Sequence, residues 1–377
     1  MSKLSVPPCK PTTTPTSDTL CKPTTTLTSD TLCESATSQS ATSQQASVYC
    51  GIDVSAATLA VAVQPEGCDH FEQCTLPNTA AGYRKLIAWL GRWKAPVRVL
   101  LESTGIYSLD VAMALDAAAG IAVAVLNPRR FHQFAESLRR SKTDAADAVA
   151  LAEYSRRMRF EAWSRPSPEV LALRGISRHL ATLSEEHARL KNRLHAACGS
   201  SSMPHCVRED LRRALARVEK SLQRMQREAV AAIRKDDGLQ QKFQHLLGIK
   251  GIGEASAVQL LGELAGLDPA MTVRQWVAQS GLDPVHQISG TSVHKQSHIS
   301  RRGSPRLRRA LYMPALSASR FDPHFKAFYT LLLARNKTKL QALTAVARKL
   351  LHAIFGIFKT GTEFSGEKLF PHLIPTS

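Results

Sequence analysis

Residues 97–126 read VRVLLESTGIYSLDVAMALDAAAGIAVAVL. Val97 to Leu101 is a buried-type apolar run that closes on Glu102, and Ser103-Thr104-Gly105 follows it. Leu109 to Ala119 has the character of a helix, and Ile121 to Leu126 is a second apolar run. Strand, helix and strand in that order indicate an α/β sheet. Toward the N-terminus, Val48–Val54, Thr58–Val63 and Phe71–Leu76 read as three further strands, and Thr79–Trp93 as a helix with Tyr83, Leu86, Ile87 and Leu90 on one face. Toward the C-terminus, Asn127-Pro128 breaks the last strand before another helix, and Ser141–Ala148 (SKTDAADA) opens a helix that runs to about Arg157.

Acids stand at telling places in this frame. Asp53 lies inside an apolar strand, where a carboxylate is costly unless it is paired or coordinates a cation. Glu102 ends a central strand, and in α/β sheets functional groups gather at strand ends. Asp144 and Asp147 are three apart in a helix-favouring run, so both point from one face. Like charges that close repel unless something positive sits between them. Taken singly, the Asp-x-x-Asp pair reads as a solvated helix face and Asp53 as an acid on the solvated side of an edge strand. Taken together, four carboxylates are what two Mg²⁺ ions require, with hard oxygen ligands and positions left for phosphate oxygens and water.

The whole chain carries 49 Lys and Arg against 31 Asp and Glu, a net charge of +18 over 377 residues. A surplus of that size indicates a polyanionic partner, nucleic acid first. No apolar run approaches membrane-spanning length and the N-terminus lacks a signal-peptide core, so no membrane partner is expected. Eight cysteines in no metal-spaced or disulfide pattern indicate a cytoplasmic, reduced chain. Residues 1–47 are repetitive: CKPTTTPTSDTL from Cys9 recurs with one change from Cys21, and SATSQ occurs twice. Rich in Thr, Ser and Pro and without an aromatic residue, this stretch reads as a disordered tail.

After Ser167-Pro168, a helix start with a capping Ser and a first-turn Pro, Leu173, Ile176, Leu180, Leu183, His187, Leu190 and Leu194 follow steps of three and four. Leu211, Leu215, Val218, Leu222, Met225 and Ala229 repeat the rhythm, which predicts an antiparallel helical hairpin or coiled coil, closed within the chain or between subunits. His187 on that seam reads as a tolerated core polar group. Gly248-Ile249-Lys250-Gly251-Ile252-Gly253 resembles a helix-hairpin-helix turn, in which Lys250, Gly251 and Gly253 approach a phosphate; the alternative is a plain turn whose glycines serve geometry. From Ser289 to Thr360 there are fourteen Lys and Arg and one acid, Asp322. Lys295, Arg301, Arg302, Arg306, Arg308 and Arg309 are candidate phosphate contacts, with Lys142 beside the paired aspartates.

Gly51-Ile52-Asp53-Val54, Glu102-Ser103-Thr104-Gly105, Asn127-Pro128 and Lys142-Thr143-Asp144-Ala145-Ala146-Asp147-Ala148 occur in the N-terminal half. Gly251-Ile252-Gly253, Gly281-Leu282-Asp283-Pro284, Ser289-Gly290 and Ile299-Ser300-Arg301-Arg302-Gly303 leading to Leu307-Arg308 follow in the C-terminal half. In this order they resemble the DEDD transposases of the insertion-sequence 110 family, relatives of the Piv DNA invertases. The resemblance implies a RuvC-like domain with an RNase H-type sheet, a metal-binding tetrad of Asp53, Glu102, Asp144 and Asp147, and a mainly α C-terminal transposase domain whose nucleophile is Ser289. It also implies double-stranded donor and target DNA, a non-coding bridge RNA and a homo-oligomer. Ala145-Ala146 replaces the bulkier pair often found between the aspartates, and the low-complexity tail is not a family feature. The domains so expected are 1–47 (tail), 48–160 (catalytic), 161–240 (coiled-coil hairpin), 241–362 (C-terminal transposase domain) and 363–377 (tail). The expected activity is metal-dependent cutting and rejoining of DNA through a phosphoserine. The alternatives are a RuvC-type nuclease using water and a non-catalytic nucleic-acid-binding protein.

Overall fold

The computed structural model describes residues 48–103, 105, 107–138, 143–289 and 293–372, which belong to one compact unit. The expectation for residues 1–47 lies outside the described residues. β1 (Val48–Val54), β2 (Thr58–Pro65) and β3 (Glu72–Pro77) form an antiparallel meander; α1 (Ala80–Gly91) follows, then β4 (Val97–Glu102), α2 (Tyr107–Asp116), β5 (Ile121–Leu126), α3 (Pro128–Leu138) and α4 (Asp144–Arg157). The sheet order is β3-β2-β1-β4-β5, with β4 parallel to both β1 and β5.

Both faces of this mixed sheet are covered, which is why its central strands are apolar throughout rather than alternating. On one face Ile52, Val99 and Leu101 pack with Leu86 and Leu90 of α1 and Val111 and Leu115 of α2. On the other, Leu100, Ala124 and Leu126 pack with Phe131 of α3 and Leu151 and Tyr154 of α4. Small residues let α4 drop directly onto the strands. A Cβ built on Gly51 would lie 2.1 Å from Ala148 O and 2.3 Å from Ala152 N, and Ala60 and Ala62 line the same contact.

Two long helices follow, α5 (Pro168–Cys198) and α6 (His205–Ile233). Ser167 caps α5 by accepting from Val170 N, with Pro168 in the first turn. Leu183, Leu190, Leu211 and Val218 form the seam, so the apolar faces meet within the chain. His187, half-buried on that seam, has its Nε2 3.1 Å from Glu219 Oε1 across the hairpin. The hairpin's base is no separate body. Leu173, Leu180, Ala229 and Ile233 enter the core built by α7 (Asp237–Leu247), α8 (Glu254–Leu264), α9 (Val273–Ser280), α10 (Pro305–Phe321), α11 (Pro323–Ala334) and α12 (Lys339–Thr360). Between α9 and α10, β6 (Pro284–Ser289) and β7 (Val293–Ile299) make a two-stranded antiparallel ribbon, and α13 (Gly366–Leu369) is the last element.

Two features depart from expectation, and the one acid of the basic stretch has a structural role. Helix α12 is long and apolar enough by length and composition to cross a membrane, but Leu350, Leu351 and Ile354 are fully buried in the helical core. The stretch after 362, expected as a tail, packs Phe364 and Phe370 around Phe325 at ring separations of 5.7 and 5.3 Å. Asp322 faces inward: it is buried, and its Oδ1 accepts from His324 N and Phe325 N at 3.0 Å, capping α11.

Candidate active site

Strand alternation and helix direction put Asp53, Glu102, Asp144 and Asp147 at one end of the sheet. Gly51 faces α4, so Asp53, two residues on, lies on the same face of the sheet. Leu100 packs on Leu151 and Tyr154, so Glu102 shares that face. Ile52 pairs with Leu101 across β1 and β4, which makes Asp53 and Glu102 neighbours at the C-terminal ends of two parallel strands. Helix α4 runs against these strands, because Ala148 and Ala152 meet Gly51 while Ser155 Oγ reaches Arg98 O at 3.4 Å. Its first turn therefore overlies the strand ends, and that turn carries Asp144, exposed, and Asp147, half-buried. Thr143 caps the helix by accepting from Ala146 N at 3.2 Å. A helix N-terminus carries about half a positive charge, which favours ionised carboxylates in the first turn.

The donor set fits a divalent cation in kind, since all four groups are hard oxygen ligands on one side of one sheet end. Among the described residues, no three His, Cys, Asp or Glu side chains already stand as a ready-made ligand group.

The other expected residues are distributed differently. Ser289 ends β6 with its backbone opposite Val293, and Lys295 lies in β7 opposite Gln287; both side chains, and all of Lys142, lie outside the described residues. The ribbon is fastened at its base, where Ser300 N donates to Asp283 O at 2.9 Å and Ser300 Oγ donates to Asp283 Oδ1 at 2.5 Å. Lys250 is exposed in the α7–α8 turn, and Gly253 is an exposed N-cap of α8. Gly251 has φ +110° and packs against α10, where a Cβ would meet Ala318 N at 2.6 Å, so geometry accounts for this glycine. Arg301, Arg302 and Arg306 are exposed. Arg308 is a structural clamp, its Nη1 donating to Ser280 O at 2.9 Å and Gly303 O at 3.1 Å. Burial, then Arg301 and Arg129, push its guanidinium below the ordinary arginine range. Arg309 pairs with Glu185 of α5.

Two family models match the chain. A DEDD transposase model of the IS110 family matches residues 50–199, and the "Transposase IS116/IS110/IS902 family" model matches residues 243–330. The chain belongs to the IS110 family of transposases. Similar proteins include the pilin gene-inverting proteins of Moraxella bovis and Moraxella lacunata. Each is 27% identical over 328 residues, covering 84% of this chain and 97% of the relative. An IS110 insertion-element protein of Streptomyces coelicolor is 32% identical over 117 residues, covering 31% of this chain and 29% of the relative. Membership of the family makes the protein a DNA recombinase of the transposase and invertase kind. The first family segment spans the sheet, α4 and all four acids; the second spans the ribbon and its flanking arginines.

The sequence did not disclose Asp283 and Ser300 as the ribbon's fastening. The signal available for them was the Gly-Leu-Asp-Pro turn that stands before β6.

Proposed function

We propose that this transposase cuts and rejoins double-stranded DNA through a serine ester, using Asp53, Glu102, Asp144 and Asp147 to hold divalent metal, with Mg²⁺ as the natural ion. The observation that supports this is the meeting of two strand-end carboxylates with the first turn of α4. The residues present fit the ion in chemistry and backbone placement. When bound, a metal pair offsets charge on the attacking and leaving oxygens of an in-line displacement. The sheet arrangement is compatible with an RNase H-type, RuvC-like domain, and the α5–α6 hairpin with the coiled-coil element.

In this reading Ser289 attacks phosphorus, its proton passes to a base, and one DNA oxygen leaves. The bond energy is kept as a phosphoserine until a new DNA hydroxyl displaces the serine. Arg301, Arg302, Arg306, Lys250 and the α8 N-terminus at Gly253 contribute phosphate contacts, which supply affinity without sequence information. The family resemblance adds a bridge RNA that selects donor and target, a homo-oligomeric assembly and a cytoplasmic setting.

The test separates binding from chemistry. Asp53→Asn, Glu102→Gln, Asp144→Asn and Asp147→Asn are each expected to lower Mg²⁺-dependent strand cleavage by about a thousandfold while gel-shift affinity changes little. Full cleavage by two of these variants would overturn the four-carboxylate assignment.

A further inference from the structure

A second candidate site lies away from the acids. Between the sheet half and the helical half is a cavity of about 620 Å³. One wall is formed by the ends of β5 and α4 with the connecting segment 158–164, the other by α9 and the Arg302-Gly303 turn before α10. The connector is stapled to the edge of the sheet, since Trp163 N donates to Val123 O at 2.7 Å. Beyond the staple, Phe160 lines the cavity, with the Arg98 guanidinium 5.5 Å from its ring centre. Met158, 44% exposed, stands beside it.

Cations outnumber acids along the lining by three to two. Arg130 and Arg159 line the cavity from the sheet half and Arg302 from the helical half. Glu161 and Asp268 also line the cavity, and Glu161 Oε2 lies 3.7 Å from Arg130 Nη1; these two acids leave an excess of cations. An anion seated among Arg130, Arg159 and Arg302 would meet that excess of positive charge. The cavity is the size of a small-molecule or mononucleotide site, too small to admit a duplex. Cations that follow a backbone, beside an aromatic face on which a base can lie, are the elements of a single-strand site.

We propose that this cavity holds one or two nucleotides of a single nucleic-acid strand, with phosphates on Arg130, Arg159 and Arg302 and a base against Phe160. The inference rests on the protein's being a nucleic-acid enzyme, but it does not depend on the four-carboxylate site. The test is accordingly run in EDTA, where failure of the metal reading leaves it untouched.

Labelled single-stranded DNA and RNA of about twelve nucleotides, and a DNA duplex of the same length, are titrated over a range of salt. The full-length protein is compared with Arg159→Glu/Arg302→Glu and with Phe160→Leu. Both arginines are exposed, so the double variant is expected to keep its melting temperature. Single-strand affinity should fall at least tenfold, and the log–log salt slope should become shallower by about 1.4, at roughly 0.7 for each phosphate no longer neutralised. Phe160→Leu should weaken binding about tenfold with the slope unchanged, as expected when a base loses its stacking platform. Photocrosslinking of iodouracil-bearing strands should label the 158–164 peptide. The stronger of the DNA and RNA arms identifies which strand the cavity serves. Unchanged affinity and slope in the double arginine variant overturns the proposal, as does crosslinking confined to peptides outside the cavity or duplex binding that alone protects the 158–164 peptide.

Discussion

In the sheet half, Asp53 and Glu102 are placed by continuous ladders of main-chain hydrogen bonds running through five strands. In the helical half, Ser289 sits on a two-stranded ribbon with a register irregularity between Val285 and Gln287, fastened at its base by Asp283 and Ser300. A lone two-stranded ribbon is marginal in water, whereas a sheet covered on both faces is not. The molecule thus holds its carboxylates on a sheet covered on both faces and its proposed nucleophile on a two-stranded ribbon.

The comparison breaks most directly at the ribbon. Ser289→Ala should abolish both recombination and any covalent protein–DNA adduct trapped by denaturation on a nicked substrate, with binding retained. An adduct persisting in this variant but lost in a neighbouring serine variant would move the nucleophile without changing the chemistry. Next in size is Leu180→Asp, which puts a charge where the hairpin base enters the helical core and Leu180 is 4% exposed. A stability loss of about 4 kcal/mol is expected from urea unfolding; a loss of oligomer with the fold intact would show that this face meets a second subunit instead.

Gly51→Ala tests the sheet half, because its methyl would press on the backbone of α4. About 2–3 kcal/mol should be lost, and cleavage should fall further than DNA binding. Ser280→Ala is a smaller structural change. Ser280 is fully buried and its Oγ donates to Val277 O at 2.6 Å, so about 1 kcal/mol should go while the adduct survives. The smallest effect concerns acid. Burial, then Lys349 and Arg348, lower the pKa of His352 on α12, so the folded state prefers the neutral ring. Its unfolded form binds a proton first as pH falls below about 6.5, and stability then declines toward the folded pKa. His352→Gln should flatten the thermal-melt profile as pH falls below about 7.

The strands and α4 were legible because apolar runs and period-2 register act locally, and the two acids of α4 because i and i+3 share a face. Asp53 and Glu102 could be marked as unusual from their neighbours alone. Their adjacency needed the β1–β4 pairing, a contact between segments some fifty residues apart. The seam of α5 and α6 was visible as a pattern, but not that it closes within the chain, since a heptad face is equally satisfied by either partner. Gly251 reads the same in a phosphate-binding turn and under a crossing helix, and only the position of Ala318 separates the two. Residues after 362 looked like a tail because two phenylalanines among polar residues form no periodic pattern; their partner, Phe325, lies far back in the chain.

Helix α4 has one more consequence. Its first turn carries Asp144 and Asp147, and its last residues, with Tyr154, Ser155 and Met158, wall the cavity between the two halves. At 1.5 Å per residue these ends are about 15–20 Å apart, and a straight helix neither stretches nor shortens. A strand gripped at one end and cut at the other would be measured along it, at about four to six nucleotides for a spacing of roughly 3.4 Å. The helix is then a gauge that fixes the spacing between the two sites.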